Sequence, residues 1–476
     1  MMGKQPTQQR LRKASRRLIR QVKHAVSGKT LEQDGYQGIR WHLDFPSLHH
    51  PAWLTPSGWV VQGWVLLPEH LTDLTGDVRL VAQWASAFEL RHPLSLKRPD
   101  VIKEVLAEDN QDHPQAVCGF RFTVPRHLAS FTLSVYVGDE CVAAQHVDMP
   151  EVDEAQALKE AQIKVLEGEQ GWLFLDNDTN GSVDQYCGRL VLTTEGIGAW
   201  QGYLAGLHRL AEKNAAKCAM LVAPSKESVM GPRYHPYAEG TGGPMHQMMA
   251  LKEASEVIYP VEALRALGDD AFIVTDTHWS QQGALQAAKK LAEALGLEAQ
   301  AIAQTFAADQ YHIRQLPGDL GSKLTPPRQC EIKVLRSFSY SKHRYFDNGL
   351  PNFGRLLVLV NDKALMSGTC LIFGSSSSYS MFNYVCRLFQ RVVFVHSAGN
   401  LDPELVSAVS PAYLVVQTNA RFVVQVPVLE QSLLQLINDK RARLNAEEQT
   451  KVEKMQVPAK PDDALLAKLN LLPWLV

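Results

Sequence analysis

The sequence predicts an α/β domain built on a doubly wound parallel sheet with helices on both faces, preceded by an N-terminal β-sandwich. Three observations carry that expectation. Residues 41–150 are short β-branched or aromatic runs split by Pro, Asp and Gly, the pattern of an all-β domain. From about residue 165, unbroken apolar runs of strand length alternate with helical patterns, which marks a parallel sheet buried on both faces. The longest apolar runs, such as "LLVLV" and "YLVV", are strand-sized and fall far short of the ~20 residues a membrane span needs.

The chain has 476 residues, enough for about two or three domains. It is 45% hydrophobic and 21% charged, with a net charge of −2. That balance is globular and shows no bias toward nucleic acid. The charge is unevenly placed. Nine Lys and Arg residues, from Lys4 to Lys29, precede the first acidic residue, Glu32. Leu11, Leu18, Ile19, Val22, Ala25 and Val26 recur among them at helical spacing. Residues 4–29 therefore read as a basic amphipathic helix, suited to peripheral contact with an anionic membrane or an acidic partner. They also read as a solvated basic tail. Arginines interrupt any apolar core, which argues against a secretory signal. A cytoplasmic location, with contact at the inner face of the membrane, is the expectation.

The seven cysteines form no C-x-x-C pair, so they suit reduced thiols rather than zinc ligands or a disulfide framework. The histidines, His49 and His50 included, lack ligand spacing, and no metal is expected. No G-x-x-x-x-G-K or G-x-G-x-x-G follows any strand pattern, which removes P-loop and dinucleotide readings.

The elements follow in order. Residues 1–40 are the basic tail. Within 41–150, "GWVVQGWVLL", "VRLVAQWAS", "CGFRFTVP" and "FTLSVYVG" are strands. Trp59, Trp64 and Trp84 are expected in their core, with stacking on sugars as the alternative. Residues 151–164, "EVDEAQALKEAQIK", form an acidic helical linker. Residues 165–427 carry the α/β domain. Its strands are "CAMLVAPS", "AFIVTDTHW", "RLLVLVND", "TCLIFGSS", "RVVFVHS" and "AYLVVQTN". Its helices are "AWQGYLAGLHRLAEKNA", "SQQGALQAAKKLAEALG" and "SYSMFNYVCRLFQ". Residues 428–476 hold one helix, "VLEQSLLQLINDKRARLNAEEQ", and an apolar tail, "ALLAKLNLLPWLV", expected to dock on the chain itself.

Sites in open α/β sheets lie beyond the C-terminal ends of the strands. There "AFIVTDTHWS" delivers Asp276 and His278, "TCLIFGSSSS" delivers Gly374, Ser375 and Ser376, and "AYLVVQTNAR" delivers Gln417, Asn419 and Arg421. This set suits acyl transfer. A serine hydroxyl needs a base beside it to act as a nucleophile. Histidine titrates near neutrality and can take and return the proton. A carboxylate orients the imidazole and stabilises its cation. Backbone N–H groups at a helix start can hold an oxyanion. Gly374 before the serines allows a tight turn. Each piece alone is also a common structural feature: a capping Asp with a bonded His, or a capped helix start.

Five segments occur in one order: "QGWLFLDND", "APSKESV", "TDTHWSQQGA", "GDLGSKL" and "GSSSS". Together they resemble the AlgJ/AlgX alginate O-acetyltransferase family, an SGNH-hydrolase-like group, over about residues 165–425. The resemblance implies an SGNH-like fold with catalytic Asp276, His278 and Ser376, in the permuted order of that family. Ser375 departs from the residue usual there, which leaves Ser375 and Ser377 as rival nucleophiles. The resemblance also suggests Asn419 as an oxyanion donor and Arg421 and Lys226 as substrate contacts, with Trp279 lining the pocket. Asn419 could equally cap a loop, Arg421 and Lys226 could be structural, and Trp279 could simply pack. "RPDV" and "CGF" resemble a small sandwich module attached to some bacterial glycan-modifying enzymes.

The implied function is O-acylation, most simply O-acetylation, of a bacterial polysaccharide or glycolipid acceptor. No tightly bound cofactor is expected, and acetyl-CoA is the donor that a cytoplasmic site would use. Two alternatives remain at this stage: a carbohydrate O-acetyl esterase with the same triad, and a non-catalytic glycan-binding or assembly protein.

Overall fold

A computed structural model describes residues 38–46, 54–55, 58–108, 112–126, 128–150, 165–178 and 180–475. The basic stretch 4–29 and the linker 151–164 lie outside the described residues. The chain divides into two compact units: Met1–Ala85 with Glu89–Gln162, and Ser86–Phe88 with Ile163–Val476.

The N-terminal unit holds two antiparallel sheets. One runs Arg40–Phe45, Gly58–Leu66, Val117–Val124, Leu96–Lys97, with Leu54–Thr55 added on Gly58–Leu66. The other runs Phe88–Pro93, Val78–Gln83, Ser130–Val137, Glu140–Asp148. Burial alternates along Ser130–Val137, with Phe131, Leu133, Val135 and Val137 inside, as the two-residue period of a half-buried strand requires. The "RPDV" and "CGF" segments meet. Arg98 pairs with Asp44 at 2.7 Å and Asp100 at 2.9 Å, and a side chain on Gly119 would strike the Arg98 stem. Trp59 and Trp64 are buried and are not available to stack on a sugar. Trp84 is half-buried.

The second unit is built on a seven-stranded sheet. Its order is Val257–Ile258, Lys217–Ala223, Tyr413–Asn419, Met366–Gly374, Phe389–His396, Leu356–Val360, Arg344–Asp347. The first five strands are parallel. Leu356–Val360 runs antiparallel to both neighbours, so the sheet is mixed and not wholly parallel. The reason is the short link from Asp347 to Leu356, which can join only antiparallel partners. Alternate residues of Met366–Gly374 enter opposite cores: Cys370 and Ile372 one, Leu371 and Phe373 the other. Helices Gln281–Ala294 and Ser378–Leu388 cover the first face, and Thr194–Lys213, Pro403–Val409 and Leu433–Ala442 the second. Gln281–Ala294 starts where the Ser280 hydroxyl accepts from the Gly283 N–H at 3.0 Å. It buries Ala284, Ala287, Ala288 and Leu291, one stripe at helical spacing.

One further expectation changes, and the docking of the apolar tail on the chain holds. The C-terminal helix is two helices, Leu433–Ala442 and Ala446–Met455, because Asn445 and Glu448 form a capping box that starts a new one. The apolar tail packs on this unit through Leu466, Leu469, Leu471 and Trp474. Each large apolar side chain buried this way contributes roughly 1.5–3 kcal/mol.

Candidate active site

The strand Met366–Gly374 ends at Gly374 and the helix Ser378–Leu388 begins four residues on. Ser375, Ser376 and Ser377 make the turn. The Ser378 N–H donates to the Ser375 carbonyl at 3.0 Å, and the Tyr379 N–H to the Ser376 carbonyl at 3.1 Å. Gly374 is needed here for space rather than for a left-handed backbone: a Cβ would collide with the Ser378 hydroxyl. Three of the four serines are occupied. Ser375 Oγ lies 2.8 Å from Gln417 Oε1 and 3.1 Å from Asn419 Oδ1, which share its one proton. Ser377 Oγ donates to Asn419 Oδ1, and Ser378 Oγ to Gln417 Oε1, both at 2.8 Å. Ser376 Oγ instead faces His278 Nε2 at 3.3 Å. Ser375 is 1% exposed and has no access to substrate, which removes it both as rival nucleophile and as a substrate contact.

His278 and Asp276 do not stand at a strand end. Segment 271–280 is a turn closed by a bridge between Phe272 and Trp279. Its carbonyls are taken by other donors, so it cannot join the sheet. Lys226 Nζ reaches the carbonyls of Leu173, Ile273, Val274 and Asp276 at 2.6–3.0 Å. The Thr275 carbonyl accepts from the N–H groups of Leu320 and Gly321. Lys226 is 2% exposed and sits over the Trp172 ring. It is a clamp that ties "GWLFL" and "PSK" to "DTHW", not a substrate contact. A lysine beside a site motif reads as a ligand group in sequence because its partners, four backbone carbonyls, carry no sequence signal.

Within the turn, Asp276 Oδ1 accepts from the His278 backbone N–H at 2.9 Å and lies 2.8 Å from His278 Nδ1. Asp276 Oδ2 accepts from the Asp319 N–H at 2.9 Å. Burial pushes the Asp276 carboxyl up, but the bond and charge of His278 outweigh it and hold the group at about 2. Burial would lower His278, yet Asp276 and then Asp319 raise it above its ordinary value. An ionised Asp276 accepts a hydrogen bond from Nδ1–H and so keeps the proton on that nitrogen, which leaves Nε2 a lone pair toward Ser376.

Asp319, from "GDLGSKL", has no role in the sequence reading. Its Oδ2 lies 3.7 Å from His278 Nδ1, and its carboxylate accepts from the Thr277 N–H at 2.7 Å and from the Thr277 hydroxyl. Burial and the neighbouring Asp276 charge push its carboxyl up. Gly318 brings it there: φ is +65°, and a Cβ would come within 2.5 Å of the Thr275 carbonyl. Asp276, His278 and Asp319 are close enough to share a cation, and each of the four carboxylate oxygens also accepts an N–H or O–H. Only the fold, not the spacing, brings Asp319 against a histidine 41 positions earlier.

Asn419, Arg421 and His278 share the wall of a cavity of about 40 Å³ with Ser377, Thr277 and Glu227. The Asn419 amide turns its oxygen inward to Ser375, Ser377 and Gln417 Nε2, which leaves Nδ2 for the cavity. Among the described residues, no hydrogen bond uses the N–H of Ser376 or Ser377. Arg421 pairs with Asp178 at 3.3 Å and keeps its place on the cavity wall. Trp279 is 3% exposed and donates to Ser380 Oγ at 2.6 Å; it packs and does not line the pocket. The expected set thus divides. Ser376, His278, Asp276, Asn419 and Arg421 come together, while Lys226, Trp279 and Ser375 support them from inside.

Residues 165–390 match the family model described as the SGNH hydrolase-like domain of acetyltransferase AlgX. That span contains Asp276, His278, Asp319 and Ser376, and ends before Asn419. The O-acetyltransferase domain of Pseudomonas putida AlgJ is similar over 62% of this chain and 99% of its own, at 15% identity and a TM-score of 0.36. Bacillus cereus PatB1 with a sulfonyl adduct is similar over 56% of this chain and 100% of its own, at 11% identity and a TM-score of 0.41. Pseudomonas aeruginosa AlgX is similar over 58% of this chain and 66% of its own, at 13% identity and a TM-score of 0.34. No curated protein matches the chain.

Proposed function

We propose that this protein is a serine O-acyltransferase that moves an acetyl group to a carbohydrate hydroxyl, a reading supported by the match of residues 165–390 to the family model of the SGNH hydrolase-like domain of acetyltransferase AlgX. The observation that carries the proposal is the Ser376–His278–Asp276 line, at 3.3 Å and 2.8 Å. Ser376 is the serine of the turn whose hydroxyl has no other partner among the described residues.

Ser376 Oγ attacks the acyl carbonyl as its proton passes to His278 Nε2. Asp276 holds the ring by Nδ1 and balances the imidazolium. The oxyanion lies toward the N–H groups of Ser376 and Ser377 and the Asn419 Nδ2, where removal of one donor typically costs about 10²–10³ in rate. Collapse expels the donor's leaving group, which takes the Nε2 proton. The acceptor hydroxyl then gives its proton to Nε2, attacks the acyl-enzyme and leaves as the ester, and Ser376 recovers the proton.

The scattered cysteine spacing, with no C-x-x-C pair, underlies the proposal of a reducing compartment, where acetyl-CoA is the proposed donor. The N-terminal unit, read as a β-sandwich module, is proposed to hold glycan.

The test uses the full chain and p-nitrophenyl acetate. Mass spectrometry of the peptide that contains Ser376 should find an acetyl group on that residue, absent from Ser376→Ala. No nitrophenol release and no adduct would sink the reading. Acetate release that no sugar acceptor ever diverts would make the protein an esterase.

A further inference from the structure

A second cavity, of about 540 Å³, adjoins the one beside His278, and the two share Ser225 and Arg421. Their sizes assign them different loads. A space of about 40 Å³ holds roughly three waters at about 10–15 Å³ each, close to the bulk of an acetyl group and too little for a sugar ring. The larger space falls within the roughly 300–1,000 Å³ of small-molecule sites. With the acyl group on Ser376 and directed into the smaller space beside His278 and Asn419, the larger cavity is the one with room for the body of the acceptor.

The larger cavity is apolar over Met245, Ile258, Pro260 and Val261. Three Lys or Arg residues line it, Arg265, Lys290 and Arg421, and each already faces a carboxylate. Arg421 pairs with Asp178 at 3.3 Å. Arg265 pairs with Glu239 at 3.0 Å and Glu262 at 3.2 Å. Lys290 pairs with Glu293 at 2.8 Å. Glu239 and Glu262 belong to the cavity wall and would repel an anion. A carboxylate brought into such a site must compete with Asp178, Glu239, Glu262 and Glu293 for these cations and gives up hydration to do so, with His246 the other titratable nitrogen on the wall.

Resting on the acyltransfer reading above, we propose that this cavity binds the acceptor and that the acceptor is an uncharged sugar rather than a uronate. The apolar CH face of the sugar lies against Ile258 and Val261. Its hydroxyls donate to Glu239 and Glu262, whose oxygens keep lone pairs beyond those Arg265 uses.

The experiment gives the full chain p-nitrophenyl acetate as donor and offers neutral glucose or mannose oligomers against mannuronate oligomers. Nitrophenol release reports the first step, and the mass of the esterified sugar reports transfer. Transfer to a neutral oligomer should exceed transfer to the uronate by about ten-fold or more, the effect of some 1.4 kcal/mol. Glu262→Lys, on an exposed position, should shift that ratio toward the uronate by about five-fold, as one new surface ion pair allows. Nitrophenol release with preference for the uronate overturns the cavity assignment alone, whereas nitrophenol release with transfer to neither sugar makes the protein an esterase and overturns the acyltransfer reading with it. No nitrophenol release at all overturns the acyltransfer reading and this inference with it.

Discussion

The backbone N–H of Ser375 donates to Gln417 Oε1 at 2.8 Å. A backbone N–H can only donate, so this bond fixes which end of the Gln417 amide is oxygen. Gln417 Nε2 then reaches Asn419 Oδ1 at 3.2 Å, and that contact in turn fixes Asn419. The result is an amide whose Nδ2 is free to meet an oxyanion. A strand end and a helix start are thereby locked together around Ser376, and the site is preorganised without any charge on these groups.

Asn419→Ala should lower kcat for p-nitrophenyl acetate by about 10²-fold while leaving KM nearly unchanged, since an oxyanion donor acts in the transition state. Steady-state kinetics check this. A loss confined to KM would show that Asn419 binds the ground state instead.

Ser375→Ala should keep the acyl-enzyme and lower stability by about 1 kcal/mol, the net worth of a buried hydroxyl bond. Urea denaturation and adduct mass spectrometry read the two effects separately. If Ser375→Ala abolishes the adduct while folding normally, Ser376 is not the nucleophile.

Asp319→Asn should shift the acid limb of the kcat/KM profile to lower pH. The base must be neutral His278. Its proton is held more tightly than usual because Asp276 and Asp319 both face it, against Arg421. Removing the Asp319 charge loosens that proton, so neutral His278 persists to lower pH. The amide keeps an oxygen for Thr277. An acid limb that stays in place would assign Asp319 to loop geometry alone.

Lys226→Met should destabilise the second unit by about 3 kcal/mol, because the ammonium that four buried carbonyls share is lost, although those of Ile273 and Val274 keep the backbone N–H groups of Asp276 and Leu173. Chemical denaturation followed by tryptophan fluorescence measures it. A variant as stable as the parent but unable to turn over substrate would return Lys226 to a substrate role.

The sequence by itself determined much of the second unit. The apolar runs "CAMLVA", "TCLIFG", "RVVFVH" and "AYLVVQT" became the central strands, because a sheet covered on both faces must be apolar at every position. The three helix patterns between residues 199 and 390 became helices, for the matching reason that one apolar stripe recurs at helical spacing. The order of motifs also placed Asp276, His278 and Ser376 in one domain. What the sequence left open were relations between distant segments. Segment 271–280 is as apolar as a strand, yet Lys226 and the N–H groups of Leu320 and Gly321 claim four of its carbonyls first. The strand Leu356–Val360 has the composition of the parallel strands, yet it runs antiparallel to both neighbours, a relation that the short link from Asp347 imposes on the pair it joins. Four consecutive serines are chemically identical in sequence. Tertiary structure separates them, because Gln417 and Asn419 take three hydroxyls and His278 faces the fourth.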